Sequence, residues 1–116
     1  MNIDNLKKEI KTVEYTGGYE EITYRTGELI ALCPKTKQAS IYDLSIKFTP
    51  DTKTPDLDSL KSYMSQYLSI PTRPEHLAHQ IYEDFDDVIM PVDLYVVLRA
   101  IGRNGINTIV EVGSDF

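Results

Sequence analysis

The residues best suited to chemistry lie in the segment 32–38 (LCPKTKQ), which contains the single cysteine of the sequence. Cys33 follows an apolar run and precedes Pro34, so we expect it at the end of a strand, on a rigid and exposed turn. Lys35 and Lys37 would stabilise its thiolate, which is the nucleophilic form of the side chain. The alternative is a buried cysteine that packs as a small apolar residue beside two solvated lysines. Local sequence leaves both interpretations open.

A second set of polar residues lies in the segment 73–90, where the apolar spacing is helical. His76 and His79 form an H-x-x-H pair, which could bind a metal if a third ligand converged on it. Such a pair more often belongs to the solvated face of a helix, so we predict no metal site. Glu75 falls in the first turn, where a carboxylate is favourable against the helix dipole. The acidic residues beyond are predicted to be solvated too: Glu83, Asp84, Asp86 and Asp87.

The composition argues against several functional classes. The 116 residues suit one domain, and 41% hydrophobic with 26% charged residues is typical of a globular protein. The net charge of −6 is unfavourable for binding phosphate backbones or anionic membrane surfaces. No glycine-rich phosphate loop is present, and a lone cysteine excludes a disulfide within one chain. The charged N-terminal segment does not resemble a signal peptide, so we expect a cytoplasmic protein without membrane contact.

Strand patterns flank a helical centre. The segment 42–49 alternates apolar and polar residues, which predicts a strand with one buried face. Further strands are predicted near 19–26 and at 92–101, and the sequence Arg-Asn-Gly at 103–105 predicts a tight hairpin turn before a last strand at 106–112. An amphipathic helix is expected at 1–11. The order predicts an α+β domain whose antiparallel sheet is covered by helices on one face, and open sheet edges favour an oligomer.

Two central helices are predicted between these strands. The first has Asp56 or Asp58 available as N-cap and ends before Pro71, and the second ends at Pro91. The apolar face predicted for the first helix comprises Leu57, Leu60, Met64, Tyr67 and Leu68. The face predicted for the second comprises Leu77, Ile81, Phe85 and Val88.

The cysteine segment resembles a known family. Residues 22–51, with Glu28 followed by L-C-P-x-T-x-Q around Cys33, are similar to the nucleophile region of the nitrile reductases that reduce 7-cyano-7-deazaguanine in queuosine biosynthesis. The segment 56–64 (DLDSLKSYM) looks like the cofactor-binding stretch of that family, and Glu75 falls at its substrate-binding glutamate. Arg103 begins a turn similar to the family's Arg-Gly-Gly-Ile. The resemblance covers about 22–110 of a single domain, 1–116.

The resemblance implies a fold and a reaction. The fold is the tunnelling fold (T-fold), in which β-β-α-α-β-β units close into a barrel by homo-oligomerisation. The Cys33 thiolate would attack the nitrile carbon to form a thioimide, which NADPH would reduce to the aminomethyl product. Glu75 would bind the small-molecule 7-deazaguanine substrate. The implied cofactor contacts are Ser59, Leu60, Lys61 and Arg103.

Two departures from the family pattern keep alternatives open. Ser40 stands seven residues after Cys33, where the family has an aspartate as general acid, so His76 or water would have to supply the proton. Asp58 replaces a lysine of the cofactor stretch. One alternative is the related archaeal amidinotransferase, which makes the archaeosine amidine from the nitrile in tRNA without NADPH, although the charge of −6 disfavours tRNA. Another is a non-catalytic purine- or pterin-binding domain of the same fold.

Overall fold

The computed structural model describes residues 3–18, 20–101 and 105–113 of the chain. A 3-10 helix at Ile3–Glu9 opens the fold, and another at Gln66–Ser69 follows the first α-helix. The strands are β1 (Thr12–Glu14), β2 (Ile22–Leu32), β3 (Ala39–Thr49), β4 (Lys53–Pro55), β5 (Asp93–Ile101) and β6 (Asn107–Gly113). The α-helices are α1 (Leu57–Ser65) and α2 (Pro74–Ile89). The predicted α+β class and the order of strands, two helices and strands are confirmed.

The main sheet has four antiparallel strands in the order β2-β3-β5-β6. The alternation in β3 is confirmed, because Leu44, Ile46 and Phe48 are buried while Asp43 and Lys47 on the other face are exposed. The ring centroids of Phe48 and Phe85 lie 4.9 Å apart, which joins β3 to α2 across the core. The helices therefore cover one face of the sheet. In the predicted hairpin turn, residues 103 and 104 lie outside the described residues.

The N-terminal segment differs from the prediction. It forms a 3-10 helix rather than an α-helix, although Leu6 and Ile10 are buried as its apolar spacing indicated. Strands β1 and β4, which were not predicted, pair in a small second sheet. Each has only three residues, too few for a readable alternation.

The two central helices are confirmed, with one correction to the first. The Asp56 carboxylate accepts a hydrogen bond from the Ser59 N–H at 3.0 Å, so Asp56 is the N-cap. The predicted apolar face of α1 is wrong at its ends, since Leu57 and Leu68 are 59% and 52% exposed. Tyr63 is buried instead. The α-helix ends at Ser65 and continues as a tighter 3-10 turn, so the spacing of 3.6 residues per turn fails beyond that point.

The prediction that the acidic run of α2 is solvated is wrong at Asp84, which is 3% exposed. Its carboxylate accepts hydrogen bonds from the Tyr63 hydroxyl at 2.6 Å and the Gln80 amide at 2.8 Å. The Tyr63 and Tyr67 hydroxyls are hydrogen-bonded at 2.7 Å. Burial raises the pKa of Asp84, and the two donated hydrogen bonds oppose this rise. Each member of this buried network therefore has a partner.

We expect Tyr63→Phe to lower the free energy of unfolding by about 1–3 kcal/mol, because it leaves a buried carboxylate and the Tyr67 hydroxyl with one partner fewer. Urea titration followed by circular dichroism would measure the change. Tyr95→Phe is the matched control, since Tyr95 donates to Glu111 at 2.6 Å on the exposed surface and should change stability by less than about 0.5 kcal/mol. Equal effects of the two substitutions would contradict a structural role for the buried network.

Candidate active site

Cys33 lies in a tight turn directly after β2, as the sequence predicted. Its N–H donates to the carbonyl of Gln38 at 2.8 Å, and its carbonyl accepts from the N–H of Lys37 at 2.8 Å. Lys37 has φ +63°, a left-handed conformation that closes the turn. The cysteine itself is half-buried, while Lys35 and Lys37 are exposed. The backbone of the turn therefore holds the sulfur at a fixed place at the strand end.

A β-bulge in β2 decides which face of the sheet carries Cys33. Thr26 pairs with Leu44 and Leu29 pairs with Tyr42, so two residues of β2 stand opposite one residue of β3. The extra residue shifts the alternation by one position, and the inward side chains change from even to odd numbers. Without the bulge, Cys33 would fall on the face away from the helices. A Cβ on Gly27 would lie 2.9 Å from the carboxylate of Asp43, an exposed side chain that can move aside.

The chain between the two helices brings the start of α2 beside this strand end. The Leu32 N–H donates to the Ile70 carbonyl at 3.1 Å, and the Thr72 N–H donates to the Leu32 carbonyl at 2.9 Å. These bonds extend β2 by a short parallel bridge to Pro71. The first turn of α2, with its partial positive charge, is therefore anchored next to the cysteine turn.

A cavity of about 870 Å³ opens at this place and is called here the cysteine cavity. Its volume is within the range of small-molecule sites. Strand end, strand face and helix start all contribute to its wall. The lining residues that bear on its chemistry are Cys33, Ser40, Tyr42, Thr72, Arg73 and Pro74.

Tyr42 lies on the wall of the cysteine cavity beside other polar side chains. Burial raises the pKa of its phenol, and the charges of Cys33 and Glu75 raise it further, while a hydrogen bond from Ser40 lowers it. Tyr42 is only 4% exposed. The Ser40 hydroxyl therefore contacts the Tyr42 phenol and Cys33 shares the cavity wall with both, whereas Glu75 is exposed and does not line the cavity.

Neither histidine lines the cysteine cavity. His76 is exposed and does not line the cysteine cavity. His79 points away as well, because its imidazole lies 3.2 Å from the Glu83 carboxylate on the solvent side of α2. Within the described part of the chain, no group of three or more histidine, cysteine, aspartate or glutamate residues could hold a metal ion.

The residues predicted to contact NADPH are only partly arranged for it. The Ser59 hydroxyl accepts from the Lys11 N–H at 2.8 Å and donates to the Asp56 carbonyl at 2.7 Å. Leu60 is 3% exposed, whereas Lys61 is exposed on the helix surface. Arg103 lies outside the described residues. Among the described three, Lys61 alone offers a group to a phosphate.

The sequence did not single out two residues of the cavity wall. Tyr42 falls on the apolar face of the predicted strand, where packing accounts for it, and Thr72 lies between the two predicted helices; both are buried and line the cavity. The signal for Tyr42 was its position two residues after Ser40, since residues i and i+2 of a strand share a face. Thr72 gave no such signal, because its position depends on the bridge between Leu32 and Pro71.

None of the helices in the described ranges has the length and apolar character that a membrane span requires.

Comparison with known proteins agrees with this architecture. A family model described as QueF-like protein matches residues 41–115. The NADPH-dependent 7-cyano-7-deazaguanine reductase of Caldicellulosiruptor bescii is 30% identical over 106 residues, covering 91% of this chain and 81% of the relative. The reductase of the same name from Thermoanaerobacter pseudethanolicus is 28% identical over 106 residues, covering 88% and 78%.

A solved structure extends the comparison to the fold. The apo crystal structure of the archaeosine synthase QueF-Like superposes with a TM-score of 0.74 at 17% identity, covering 88% of this chain and 98% of that one. This likeness confirms the predicted T-fold unit, whose sheet is not closed within one chain. Together with the family match over most of the chain, it leads to one conclusion: this protein belongs to the QueF-like family.

Proposed function

We propose that this chain converts the nitrile of 7-cyano-7-deazaguanine through a thioimide on Cys33 and reduces it to 7-aminomethyl-7-deazaguanine with NADPH. The observation that carries the proposal is the position of a half-buried cysteine on the wall of a cavity large enough for a purine-sized ligand. Curated relatives named as reductases of this nitrile support the substrate.

Cys33 acts as the nucleophile in this proposal. The start of α2 and the lysines of the turn provide positive charge close to the sulfur, which favours the thiolate. The turn holds the sulfur in place through its backbone hydrogen bonds, so little reorganisation is needed on attack. A half-buried sulfur remains within reach of a ligand in the cavity.

Glu75 anchors the base. Its carboxylate lies in the first turn of α2, close enough to Tyr42 that its charge raises the pKa of the phenol. A carboxylate accepts two hydrogen bonds from the adjacent N–H groups on the pyrimidine edge of a 7-deazaguanine, as bidentate pairing requires. The nitrile at the opposite end of the base then points toward Cys33.

NADPH would supply the hydride for each of the two reductions. Lys61 and Arg103 are our candidates for its phosphate groups, and Ser59 and Leu60 form the helix that presents Lys61. We propose that a second copy of the chain completes the cofactor site in a homo-oligomer, since the sheet is not closed within one chain. The exposed side chains of Ile41 and Ile109 on the uncovered sheet face support an association between copies. We also propose a cytoplasmic location.

The alternative function is amidine formation on the nitrile in tRNA, without NADPH. The observation that favours it is the cofactor segment itself, where the Ser59 hydroxyl is engaged within the chain and Asp58 places a negative charge at the surface. The net charge of −6 weighs against tRNA. A non-catalytic purine- or pterin-binding role needs only the cavity and Glu75.

The deciding experiment is the intact mass of the protein after incubation with 7-cyano-7-deazaguanine in the absence of reductant. We expect a gain equal to the mass of the nitrile, followed by its loss and by NADPH oxidation when NADPH is added. A gain that persists with NADPH but disappears with ammonia would favour the amidinotransferase. No gain at saturating nitrile would contradict the proposed function, and nitrile-bearing tRNA would be tested next.

A further inference from the structure

The addition of a thiolate to a nitrile demands a proton donor. As the S–C bond forms, one π bond of the nitrile breaks and its electron pair moves onto nitrogen. The resulting anion is far more basic than any side chain, so a donor within hydrogen-bonding distance lowers the barrier. Ser40 is a weak donor for this purpose, and His76 does not line the cysteine cavity.

Tyr42 satisfies the geometry that this donor requires. Residues i and i+2 of a strand share a face, so Ser40 and Tyr42 lie on the same side of β3. The register places Ala31 opposite Ser40 and Leu29 opposite Tyr42, and the bulge puts Cys33 in phase with both. The three polar side chains therefore converge on one wall of the cavity, and Tyr42 is too buried to move away.

We propose that the Tyr42 hydroxyl, held by Ser40, donates the proton that the nitrile nitrogen takes up when the Cys33 sulfur adds to the nitrile carbon. This inference rests on the proposed function and names the acid of that same site. Tyr42 is the catalytic acid and Ser40 is a positioning residue that also donates a hydrogen bond to the phenolate left behind.

Other polar groups of the cavity fit the role less well. The Arg73 and Arg99 guanidinium groups do not release a proton in proteins. Lys35 is exposed on the turn, so its long side chain is not held at one place. The Thr72 hydroxyl donates within the chain, to the Arg73 carbonyl at 3.4 Å. Tyr42 combines a rigid ring, a hydroxyl that is protonated at neutral pH and a hydrogen bond with Ser40.

The step balances without an added oxidant or reductant. The S–C bond and an N–H bond form, while one π bond of the nitrile and the phenol O–H bond break. The phenolate then recovers, through water, the proton that Cys33 gave up on ionisation. The net change is addition of a thiol across a nitrile.

The test compares Tyr42→Phe with Tyr24→Phe by intact mass, following the growth of the nitrile adduct over time without NADPH. Tyr24 is the matched control because it is a partly buried tyrosine of the same sheet that packs against Phe48, with ring centroids 5.6 Å apart, and does not line the cavity. We expect Tyr42→Phe to slow adduct formation at saturating nitrile by about 100-fold or more. The half-saturating nitrile concentration and the Tyr24→Phe rate should stay close to wild type.

Two results would overturn the inference while leaving the proposed function standing. One is an unchanged saturating rate in Tyr42→Phe, and the other is a raised half-saturating concentration alone, which would make Tyr42 a packing or binding residue. If Tyr42→Phe fails to fold, Ser40→Ala keeps the phenol and should slow the same step at unchanged half-saturation; an unchanged rate would count against the proposal. Absence of an adduct in the wild type would instead overturn the proposed function and this inference with it.

Discussion

Replacing Cys33 with alanine will abolish both the nitrile adduct and nitrile turnover, with a loss of about four orders of magnitude or more in turnover. The sulfur is the atom that forms the covalent bond in the proposed reaction, and alanine offers no nucleophile. Cys33→Ser should fail almost as completely, because a serine hydroxyl is far less ionised than a thiol at neutral pH. Mass spectrometry and NADPH oxidation measure the two losses independently.

The fold should survive these substitutions. Cys33 is held by its backbone N–H and carbonyl, and both bonds remain in alanine and serine variants. Ser65→Ala on the exposed end of α1 is the matched control and should keep full turnover. If Cys33→Ala retained a substantial rate while folded, the cysteine would be a packing residue and the proposed thioimide would be wrong.

The alternation of β3 could be predicted from the sequence, whereas the register beyond the bulge of β2 could not. In β3 the helices bury one face and solvent meets the other, so the alternation from Tyr42 to Phe48 is written directly into the residue types. The bulge of β2 is different. It depends on one extra residue near Gly27, and a glycine within a strand pattern indicates a bulge without fixing the register beyond it. The face on which Cys33 lies could therefore not be derived from alternation alone.

For Asp84 the helical spacing did indicate burial, but its acidic neighbours favoured a solvated position. It lies seven residues after Leu77 and three after Ile81, so the helical period places it on the buried face of α2. The neighbouring acidic residues suggested a solvated run instead. The carboxylate is tolerated because Tyr63, from the other helix, donates to it, and that pairing between distant residues is set by tertiary packing.

The candidate site divides in the same way. The residue types of the segment 32–38 indicated Cys33 as a candidate nucleophile, and the resemblance indicated Glu75 as the base-binding residue. Their proximity follows from the bonds of Leu32 to Ile70 and Thr72, which join segments far apart in sequence. Tyr42 shares a strand face with Ser40, and the pairing of β2 with β3 sets its place at the cavity. Residue type thus indicated the chemistry, and the strand-to-linker bridge determined which groups share the cavity.

The second large effect is expected at Glu75. Glu75→Leu should weaken binding of 7-cyano-7-deazaguanine by about 10- to 100-fold, because two charge-assisted hydrogen bonds to the base are lost. Glu75→Gln should lose less, since the amide keeps one acceptor. Stability should change little, because a first-turn carboxylate contributes only about 0.3–1 kcal/mol against the helix dipole. Isothermal titration calorimetry in the Cys33→Ala background separates binding from adduct formation.

Glu83→Leu on the same helix is the matched control for this prediction. Glu83 is exposed and its carboxylate lies 3.2 Å from His79, away from the cysteine cavity, so its removal should leave nitrile affinity unchanged. The contrast tests position, since both substitutions remove one negative charge from α2. Equal affinity losses would mean that the charge of the helix acts at long range, and no loss at Glu75 would make it a helix-capping residue. A loss confined to Glu75 would place the base against the first turn of α2.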